Sequence, residues 1–276
     1  IQKDGSLSPE VSERFNFTRP ANGPPVGPVT SRQDHSYAHE VVTSPDGRFV
    51  YVPDLGADQV HVISIGPKCS DSKVASSTTV SPGNGPRHIG FYPPGKSTLA
   101  GMLGTHDEMH HHVGKTNAYL SCELSSSLIP FEVDTKTGAL KQIGDPVPSV
   151  PPGTPLGGTP TGGPQRTVAE VAISPDGRFI YVSDRGDSEE DHVTIYSRDV
   201  KTGAVKWLKW VPSGGRNPRH FSLSLDKEAR YLAVGHQDTG NAVIFERDVK
   251  TGDIKRIEGA EYKGFPKLAF TGFAPF

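Results

Sequence analysis

A nine-residue stretch of this chain occurs twice almost unchanged, and it limits the folds that the chain can adopt. Residues 44–52 read SPDGRFVYV, and residues 174–182 read SPDGRFIYV. A second stretch, of the form D-x-K-T-G, occurs at 134–138, 199–203 and 248–252. Repeats separated by roughly 40 to 65 residues are typical of propellers and other repeat arrays. We therefore expect a chain built from units of about this length.

The interior of the repeated unit indicates four short strands. In the first copy, the segment HEVVT ends at a Pro-Asp-Gly turn, and the segments RFVYVPD and DQVHVISI then alternate between apolar and polar residues. Alternation with period two is the pattern of a half-buried strand, and Pro, Gly and Asp between such segments mark turns. The 31 glycines and 25 prolines also favour many turns over long helices. The sequence therefore predicts an all-β protein, a β-propeller of four-stranded blades.

The repeats place four complete blades, beginning near residues 39, 87, 169 and 219, in a single propeller domain that spans residues 1–276. One outer strand, about residues 6–15, precedes these blades, and one apolar inner strand, residues 265–270, follows them. Eighteen strands do not close a propeller, because the strands at the two ends must complete a blade. We therefore expect about ten N-terminal strands, some 2.5 blades or roughly 90–100 residues, to lie outside this chain. A ring of four or five blades is the alternative.

Three insertions interrupt the repeated pattern. Residues 16–34 and 145–165 are rich in Pro and Gly and are predicted to be long surface loops without structure of their own. Residues 95–116 separate the first and second strands of their blade and carry four histidines and two acidic residues. Histidine-rich tracts can bind metal, but we interpret this one as a solvated loop. We expect neither a metal nor a cofactor.

Charge and composition exclude several classes of protein. The formal net charge of −2 is too balanced for a nucleic-acid-binding protein. No apolar run reaches the ~18 residues that a membrane helix needs, so no membrane partner is expected. Cys69 and Cys122 are the only cysteines, which excludes a disulfide scaffold and a cysteine-rich zinc site. Asn16 begins a glycosylation sequon, but the sequence fits a cytosolic and a secreted protein equally well, and it carries no signature of an oligomeric state.

Charged residues concentrate where the first strand of a blade begins and where its second strand ends. In an up-and-down meander these two points lie on the same side of the sheet, so we expect the side chains to converge on one mouth of the central channel. Three aspartates, Asp46, Asp54 and Asp176, are interpreted as structural. The residues at the first-strand starts are His39, Arg87, His88, Glu170, Arg219 and His220, and those at the second-strand ends are Asp54, Glu123, Arg185, Asp187, His236 and Asp238.

Four stretches carry a resemblance to a known family: GPRHIGF at 85–91, CELSSSLIPFEVD at 122–134, AEVAISPDGRFIYVSDRGD at 169–187 and NPRHFSLS at 217–224. They resemble the lactonase family of seven-bladed β-propellers, which includes propeller-type 6-phosphogluconolactonases and fungal carboxy-cis,cis-muconate lactonizing enzymes. The resemblance implies seven blades and an active site of one histidine, two arginines and one glutamate at one channel mouth. Taken position by position, those residues are His39, Arg87, Glu123 and Arg185.

The chemistry of these residue types suits the opening of a lactone. Glu123 is expected to deprotonate a water molecule, and His39 to protonate the leaving oxygen. Arg87 and Arg185 are expected to hold an anionic substrate and to stabilise developing negative charge. Ring formation by a lactonizing enzyme and a non-catalytic binding platform stay open as alternatives. The further residues expected to contact the small anionic lactone are His88, Glu170, Arg219, His220 and His236.

Overall fold

The computed structural model describes residues 6, 11, 13–17, 29–93, 115–156 and 166–274. Within these ranges it contains seventeen β-strands and one single-turn 3-10 helix, Cys69–Asp71. No helix in the described part of the chain is long and apolar enough to cross a membrane. Strands therefore form nearly all of the regular structure, as the alternating apolar pattern predicts.

The strands form four antiparallel sheets, each connected in the order of the sequence. Blade one contains β1 (Val42–Thr43), β2 (Phe49–Asp54), β3 (Gln59–Ser64) and β4 (Lys73–Thr79). Blade two contains β5 (Pro86–Tyr92), β6 (Asn117–Cys122), β7 (Ser127–Val133), β8 (Leu140–Gln142) and the short β9 (Val147–Pro148), which pairs with β7. Blade three contains β10 (Thr167–Ile173), β11 (Phe179–Arg185), β12 (His192–Arg198) and β13 (Val205–Pro212). Blade four contains β14 (Pro218–Leu223), β15 (Tyr231–His236), β16 (Asn241–Arg247) and β17 (Ile254–Lys263).

The all-β propeller architecture predicted from the repeats is confirmed. The four sheets begin close to the expected positions. The first strands of blades two, three and four lie side by side, since β10 packs on β5 and on β14, and β5 also packs on β2 of blade one. The fourth strands are mostly exposed, whereas the second and third strands are buried. Each blade therefore presents its first strand to the inside of the arrangement and its fourth strand to the solvent.

One predicted strand is unpaired among the described residues, and its place in a blade stays a prediction. Residues 265–270, expected to be an apolar inner strand, form a turn and extended chain without strand pairing. This segment packs beside β14 and β15, where the Thr271 carbonyl accepts a hydrogen bond from His220. An extended segment becomes a strand only when a neighbouring strand pairs with it, and none among the described residues does so here. Most of residues 6–15 fall outside the described ranges, so the predicted outer strand, the additional N-terminal strands and the single domain stay predictions.

The two repeated sequence stretches meet at the interfaces between blades. The hydroxyl of Tyr51, from the first SPDGRFVYV copy, donates a 2.7 Å hydrogen bond to the carbonyl of Gly138 in the D-x-K-T-G turn of blade two. Tyr181, from the second copy, makes the same 2.7 Å bond to Gly252 of blade four. The buried apolar clusters also lie between adjacent blades. The repeats therefore recur because each blade must present the same surface to the next blade.

Two predicted loops are partly structured. Within residues 16–34, Val29 packs against Leu55 and Leu124, and Gln33 is fully buried. Within residues 145–165, β9 pairs with β7, and the Ser149 side chain is fully buried. Both segments contain polar groups that find buried partners in the adjacent blades, which a composition rich in Pro and Gly does not reveal. Residues 94–114, which hold the histidine-rich tract, lie outside the described residues.

Candidate active site

The first strand contains one residue more than the second strand opposite it in three of the four sheets. In blade two the extra residue is Arg87, and in blade four it is Arg219. In blade three the pairing shifts in the same way between Val168 and Val171. Such β-bulges bend a strand and redirect its side chains, often beside functional sites. The Pro-Arg-His sequence therefore recurs at the same irregular point of two blades.

The bulge brings Arg87 and His88 into one group of polar side chains. Successive residues of a regular strand point to opposite faces of the sheet. Here, Arg87 Nη1 lies 3.2 Å from His88 Nε2. Arg87 Nε donates a 2.9 Å hydrogen bond to Glu123, and His88 Nδ1 lies 3.0 Å from Glu170 of blade three. Arg87 and His88 therefore connect a carboxylate of their own blade with one of the next blade.

Three arginines surround the carboxylate of Glu123, which follows β6. Its Oε2 accepts the bond from Arg87 and lies 3.4 Å from Nη2 of Arg185, at the end of β11. Its Oε1 accepts a 2.7 Å hydrogen bond from Nη2 of Arg32, in the segment before blade one. The side chain of Glu123 is only 6% exposed. The arginines therefore replace most of the water that would otherwise solvate this carboxylate.

The arginines decide the charge state of Glu123. Burial by itself would raise the pKa of the carboxyl, but the charges of Arg185, Arg32 and Arg87 outweigh burial and hold the pKa below its ordinary value. Burial, together with the nearby charge of Arg185, lowers the pKa of Arg87 to about 10. At neutral pH the site therefore contains an ionised carboxylate among ionised guanidinium groups.

His39 lies beside this group and is neutral. Its ring stands 5.2 Å from the ring of His88, measured between centroids. Burial and the charge of Arg87 lower the pKa of His39 to about 3. A neutral imidazole can accept a proton at one nitrogen and donate a hydrogen bond from the other. To protonate the leaving oxygen as imidazolium, His39 would therefore first have to take up a proton, and this role stays a prediction.

Glu170 organises the neighbouring histidines. Its Oε1 accepts from His88, and its Oε2 lies 3.3 Å from Nε2 of His220 in blade four. The carboxyl is buried, but the bond from His88 and the charge of His220 keep its pKa low. Glu40 Oε1 lies 3.9 Å from the same nitrogen, Nδ1 of His88, and burial raises the pKa of Glu40. The four blades thus share one continuous polar group, which we call the mouth cluster: Arg32, His39, Glu40, Arg87, His88, Glu123, Glu170, Arg185, Arg219 and His220.

Some nitrogen atoms of the mouth cluster are buried without a protein partner. Nδ1 of His39 and Nε of Arg185 have none among the described residues. Arg219 makes only one long side-chain hydrogen bond in the described part of the structure, 3.5 Å to Gln237. Its charge nevertheless lowers the pKa of Arg185. Buried polar atoms are normally paired, so these donors are available to a bound ligand.

Other predicted residues lie away from the mouth cluster. His236 is fully buried, and its two ring nitrogens lie 3.0 Å from Ser213 Oγ and 3.3 Å from the Asn241 carbonyl. It therefore links blade four to the segment that follows blade three and lies outside the mouth cluster, and its contact with substrate stays a prediction. Asp187 pairs with Arg166, and Asp238 accepts a bond from Asn217. Asp54 is fully buried and accepts bonds from nearby backbone amides, consistent with the structural role expected for it.

Two members of the mouth cluster were not identified in the sequence. The sequence pattern predicts Arg32 in a surface loop without structure of its own and Glu40 in a first strand. Glu40 follows His39 directly, so its position at a first-strand start was a usable signal. Nothing local distinguishes Arg32, because its contact with Glu123 crosses 91 positions of the chain. The residues that the structure describes contain no group of three or more His, Cys, Asp or Glu side chains suited to a metal ion.

Comparison with known proteins gives a consistent result. The family model described as lactonase, 7-bladed beta-propeller, matches residues 1–266. A 6-phosphogluconolactonase of Formosa agariphila is 29% identical over 246 residues, which cover 88% of this chain and 58% of that protein. The structure also resembles the periplasmic gluconolactonase of Pseudomonas aeruginosa, with a TM-score of 0.65, 26% identity, and 84% of this chain and 55% of that chain covered.

A further solved structure matches over almost the whole of this chain. A protein of Lactobacillus plantarum aligns with a TM-score of 0.75 and 26% identity, over 98% of this chain and 65% of that chain. The chain thus spans somewhat more than half the length of the relatives that it matches.

Proposed function

Since the chain belongs to the lactonase family of seven-bladed β-propellers, we propose that it hydrolyses a small anionic lactone of the sugar-acid type. The observation that carries this proposal is the carboxylate of Glu123, held among arginines and close to neutral His39. The relatives named for 6-phosphogluconolactone and gluconolactone hydrolysis support the same substrate class. No metal or cofactor takes part in the proposed reaction.

In the proposed mechanism, Glu123 is the base that activates water. Its carboxylate takes one proton from a water molecule while the water oxygen forms a bond to the lactone carbonyl carbon. The carbonyl oxygen then becomes an oxyanion, and the ring carbon–oxygen bond breaks in the second step. The leaving ring oxygen takes the proton from the Glu123 carboxyl, so the base is regenerated and one water has been added. Because the arginines make the protonated Glu123 a stronger acid, they help it return this proton.

The arginines stabilise the charges of this reaction. Arg87 and Arg185 both lie against Oε2 of Glu123, which places both guanidinium groups beside the carboxylate that activates water. We assign them to the oxyanion, because fixed donors in a water-poor site stabilise charge that develops in the transition state. Arg219 makes one long hydrogen bond among the described residues, so other N–H groups of its guanidinium can donate to a ligand. We assign Arg219 to bind the anionic substituent of the substrate. Neutral His39 orients the water or the leaving oxygen through a hydrogen bond.

This arrangement favours hydrolysis over the alternatives. A binding platform for anions requires arginines but has no need of a buried carboxylate at their centre, because desolvating it is costly. Ring formation by a lactonizing enzyme would use the same groups. The similar proteins reported above are named for lactone hydrolysis, which supports hydrolysis as the direction of the reaction.

The test is the variant Glu123→Gln in the full-length protein, assayed with 6-phosphogluconolactone. Turnover should fall by ~10²–10⁴-fold, the usual contribution of a positioned base. Binding of the anion 6-phosphogluconate, measured by calorimetry, should be retained or become tighter, because the substitution removes a negative charge beside the arginines. A purely structural role for Glu123 predicts instead that turnover and binding fall together.

The matched control is Glu132→Gln. Glu132 lies on β7 of the same blade and pairs with Lys115 on the surface. This variant should retain the parent's turnover. An unchanged rate in Glu123→Gln would remove Glu123 from the mechanism, and a parent protein without turnover on any lactone would contradict the proposed function.

A further inference from the structure

Arg32 contacts Glu123 differently from the other two arginines. The side chain of Arg32 is 47% exposed, whereas those of Arg87 and Arg185 are 2% and 12% exposed. Its 2.7 Å bond to Glu123 Oε1 is therefore a contact between a solvent-facing guanidinium and a buried carboxylate. An exposed arginine retains water and rotamer freedom, so it exchanges partners more readily than a buried arginine.

The backbone around Arg32 is held in place on both sides. Val29 packs into a small apolar cluster with Leu55, and the Arg32 amide donates to the Val29 carbonyl at 2.8 Å. Gln33 is fully buried, and its side-chain amide donates to Asp58 at 2.8 Å. The segment is thus anchored immediately before and after Arg32. Movement at this position consequently belongs to the Arg32 side chain and not to a mobile loop.

The two oxygens of Glu123 have different arginine partners, and Oε1 is the one that Arg32 contacts. Oε2 is occupied by Arg87 and faces Arg185, and both of these side chains are buried. Oε1 accepts its side-chain hydrogen bond from Arg32. A general base needs a free lone pair within reach of water. While Arg32 stays in place, both oxygens of Glu123 accept a hydrogen bond from an arginine.

We propose that Arg32 is a displaceable cap on Glu123, which the anionic group of the substrate draws away. The substrate's phosphate or carboxylate would exchange one guanidinium–carboxylate contact for a guanidinium–anion contact, and the same movement would free Oε1 for water. This inference rests on the proposed hydrolysis. It makes the anionic group a requirement for turnover as well as for binding, so neutral lactones would bind to a site whose base remains capped.

Other charged groups near Glu123 cannot replace this function. Arg87 from β5 and Arg185 from β11 are buried, and neutral His39 precedes β1. Arg219, the remaining arginine of the mouth cluster, makes no hydrogen bond or ion pair with Glu123 in the described part of the chain and pairs with Gln237. Among the described charged groups that face this carboxylate, Arg32 is thus the one that combines direct contact with exposure to solvent.

The experiment compares Arg32→Gln with the parent protein on two lactones that differ in charge. For 6-phosphogluconolactone, kcat/KM should fall about fivefold, because a half-exposed charge pair with the phosphate is lost. For neutral gluconolactone, kcat should rise about fivefold, because the cap no longer has to be removed. The acidic limb of the pH profile should move to higher pH, since one of the positive charges that lower the pKa of Glu123 is gone. Arg32→Lys, which keeps the charge, should retain the preference for the phosphorylated lactone.

Arg230→Gln is the matched control. Arg230 is an exposed arginine paired with Glu228 in blade four, outside the mouth cluster, and its loss should leave both rates and the pH profile unchanged. If Arg32→Gln loses rate equally on the two lactones, or if both rates are unchanged, the proposal that Arg32 caps Glu123 is contradicted. If the parent hydrolyses neither lactone, the proposed hydrolysis is contradicted. Calorimetry with 6-phosphogluconate then tests separately whether Arg32 contacts the anion. Weaker binding in Arg32→Gln supports its contact with the anion, and equal binding or none contradicts it.

Discussion

At the scale of single residues, the protonation states depend on which neighbours the fold supplies. Glu123 and Asp184 are both buried carboxylates that follow or end a second strand. Arginines hold the pKa of Glu123 low, whereas burial raises the pKa of Asp184 to about 6. The partners of Asp184 are mainly the hydroxyls of Ser149 and Ser126, with Arg166 at 3.4 Å. Hydroxyl groups do not compensate a buried negative charge as well as close guanidinium groups do.

Asp184 therefore makes stability fall as the pH rises through its folded pKa. The folded pKa of about 6 exceeds the ordinary value of 3.8 for an aspartate, so the folded state holds this proton more tightly than the unfolded state. The contribution is complete below pH ~4 and lost above pH ~7. We expect the free energy of unfolding of the parent, relative to that of Asp184→Asn, to decrease by ~3 kcal/mol between pH 4 and pH 8. Urea unfolding at both pH values measures this difference, and an increase with pH would contradict the assignment.

At the scale of elements, the turns of one blade are shaped to fit the strands of the blade before it. Gly138, in the first D-x-K-T-G turn, has a φ of 76°, in the left-handed region that favours glycine. A side chain here would also meet its neighbours, because a Cβ atom would stand 2.8 Å from Phe49 and 2.8 Å from Val62 of blade one. This glycine therefore serves both the turn and the packing between blades.

Gly138→Ala should destabilise the protein more than Gly144→Ala does. Gly144 also has a positive φ, 66°, but a Cβ atom there would meet nothing within 4 Å. The backbone cost is thus common to the two variants, and the difference between them isolates the clash with blade one. We expect that difference to be about 1–3 kcal/mol in the free energy of unfolding, as for overpacked cores. Equal destabilisation would show that the blades separate enough to accommodate the methyl group.

At the scale of the whole molecule, the fold creates a positive site in a chain of nearly balanced charge. The formal net charge is −2, yet Arg32, Arg87, Arg185 and Arg219 all join the mouth cluster. Only two of its carboxyl groups, Glu123 and Glu170, have a lowered pKa. The local excess of positive charge would attract an anionic substrate before any direct contact forms.

The affinity for an anionic lactone should consequently depend on salt. Raising the ionic strength shortens the Debye length to about 8 Å at 0.15 M. We expect the KM for 6-phosphogluconolactone to increase between low and physiological salt, while the KM for neutral gluconolactone changes little. Steady-state rates at constant pH measure both values. The same salt dependence for the two lactones would mean that the positive site does not recognise the substrate's charge.

The sequence alone determined the architecture and the main candidates for the site. Strand alternation, Pro-Asp-Gly turns and the D-x-K-T-G turn are local signals, since each depends on residues that are close in the chain. They predicted the four blades and placed the ends of first and second strands on one side. That placement, together with the family resemblance, was enough to select His39, Arg87, Glu123 and Arg185. The additional N-terminal strands stay a prediction.

Only the tertiary structure decided which side chains meet and which are charged. The bulges in the first strands turn Arg87 and His88 toward one polar group, and a distant segment brings Arg32 onto Glu123. The same information lowers the pKa of His39 and places His236 outside the mouth cluster. These outcomes depend on burial and on contacts between residues far apart in the chain. A local pattern carries neither, because the energy of a buried charge is determined by the neighbours that surround it in space.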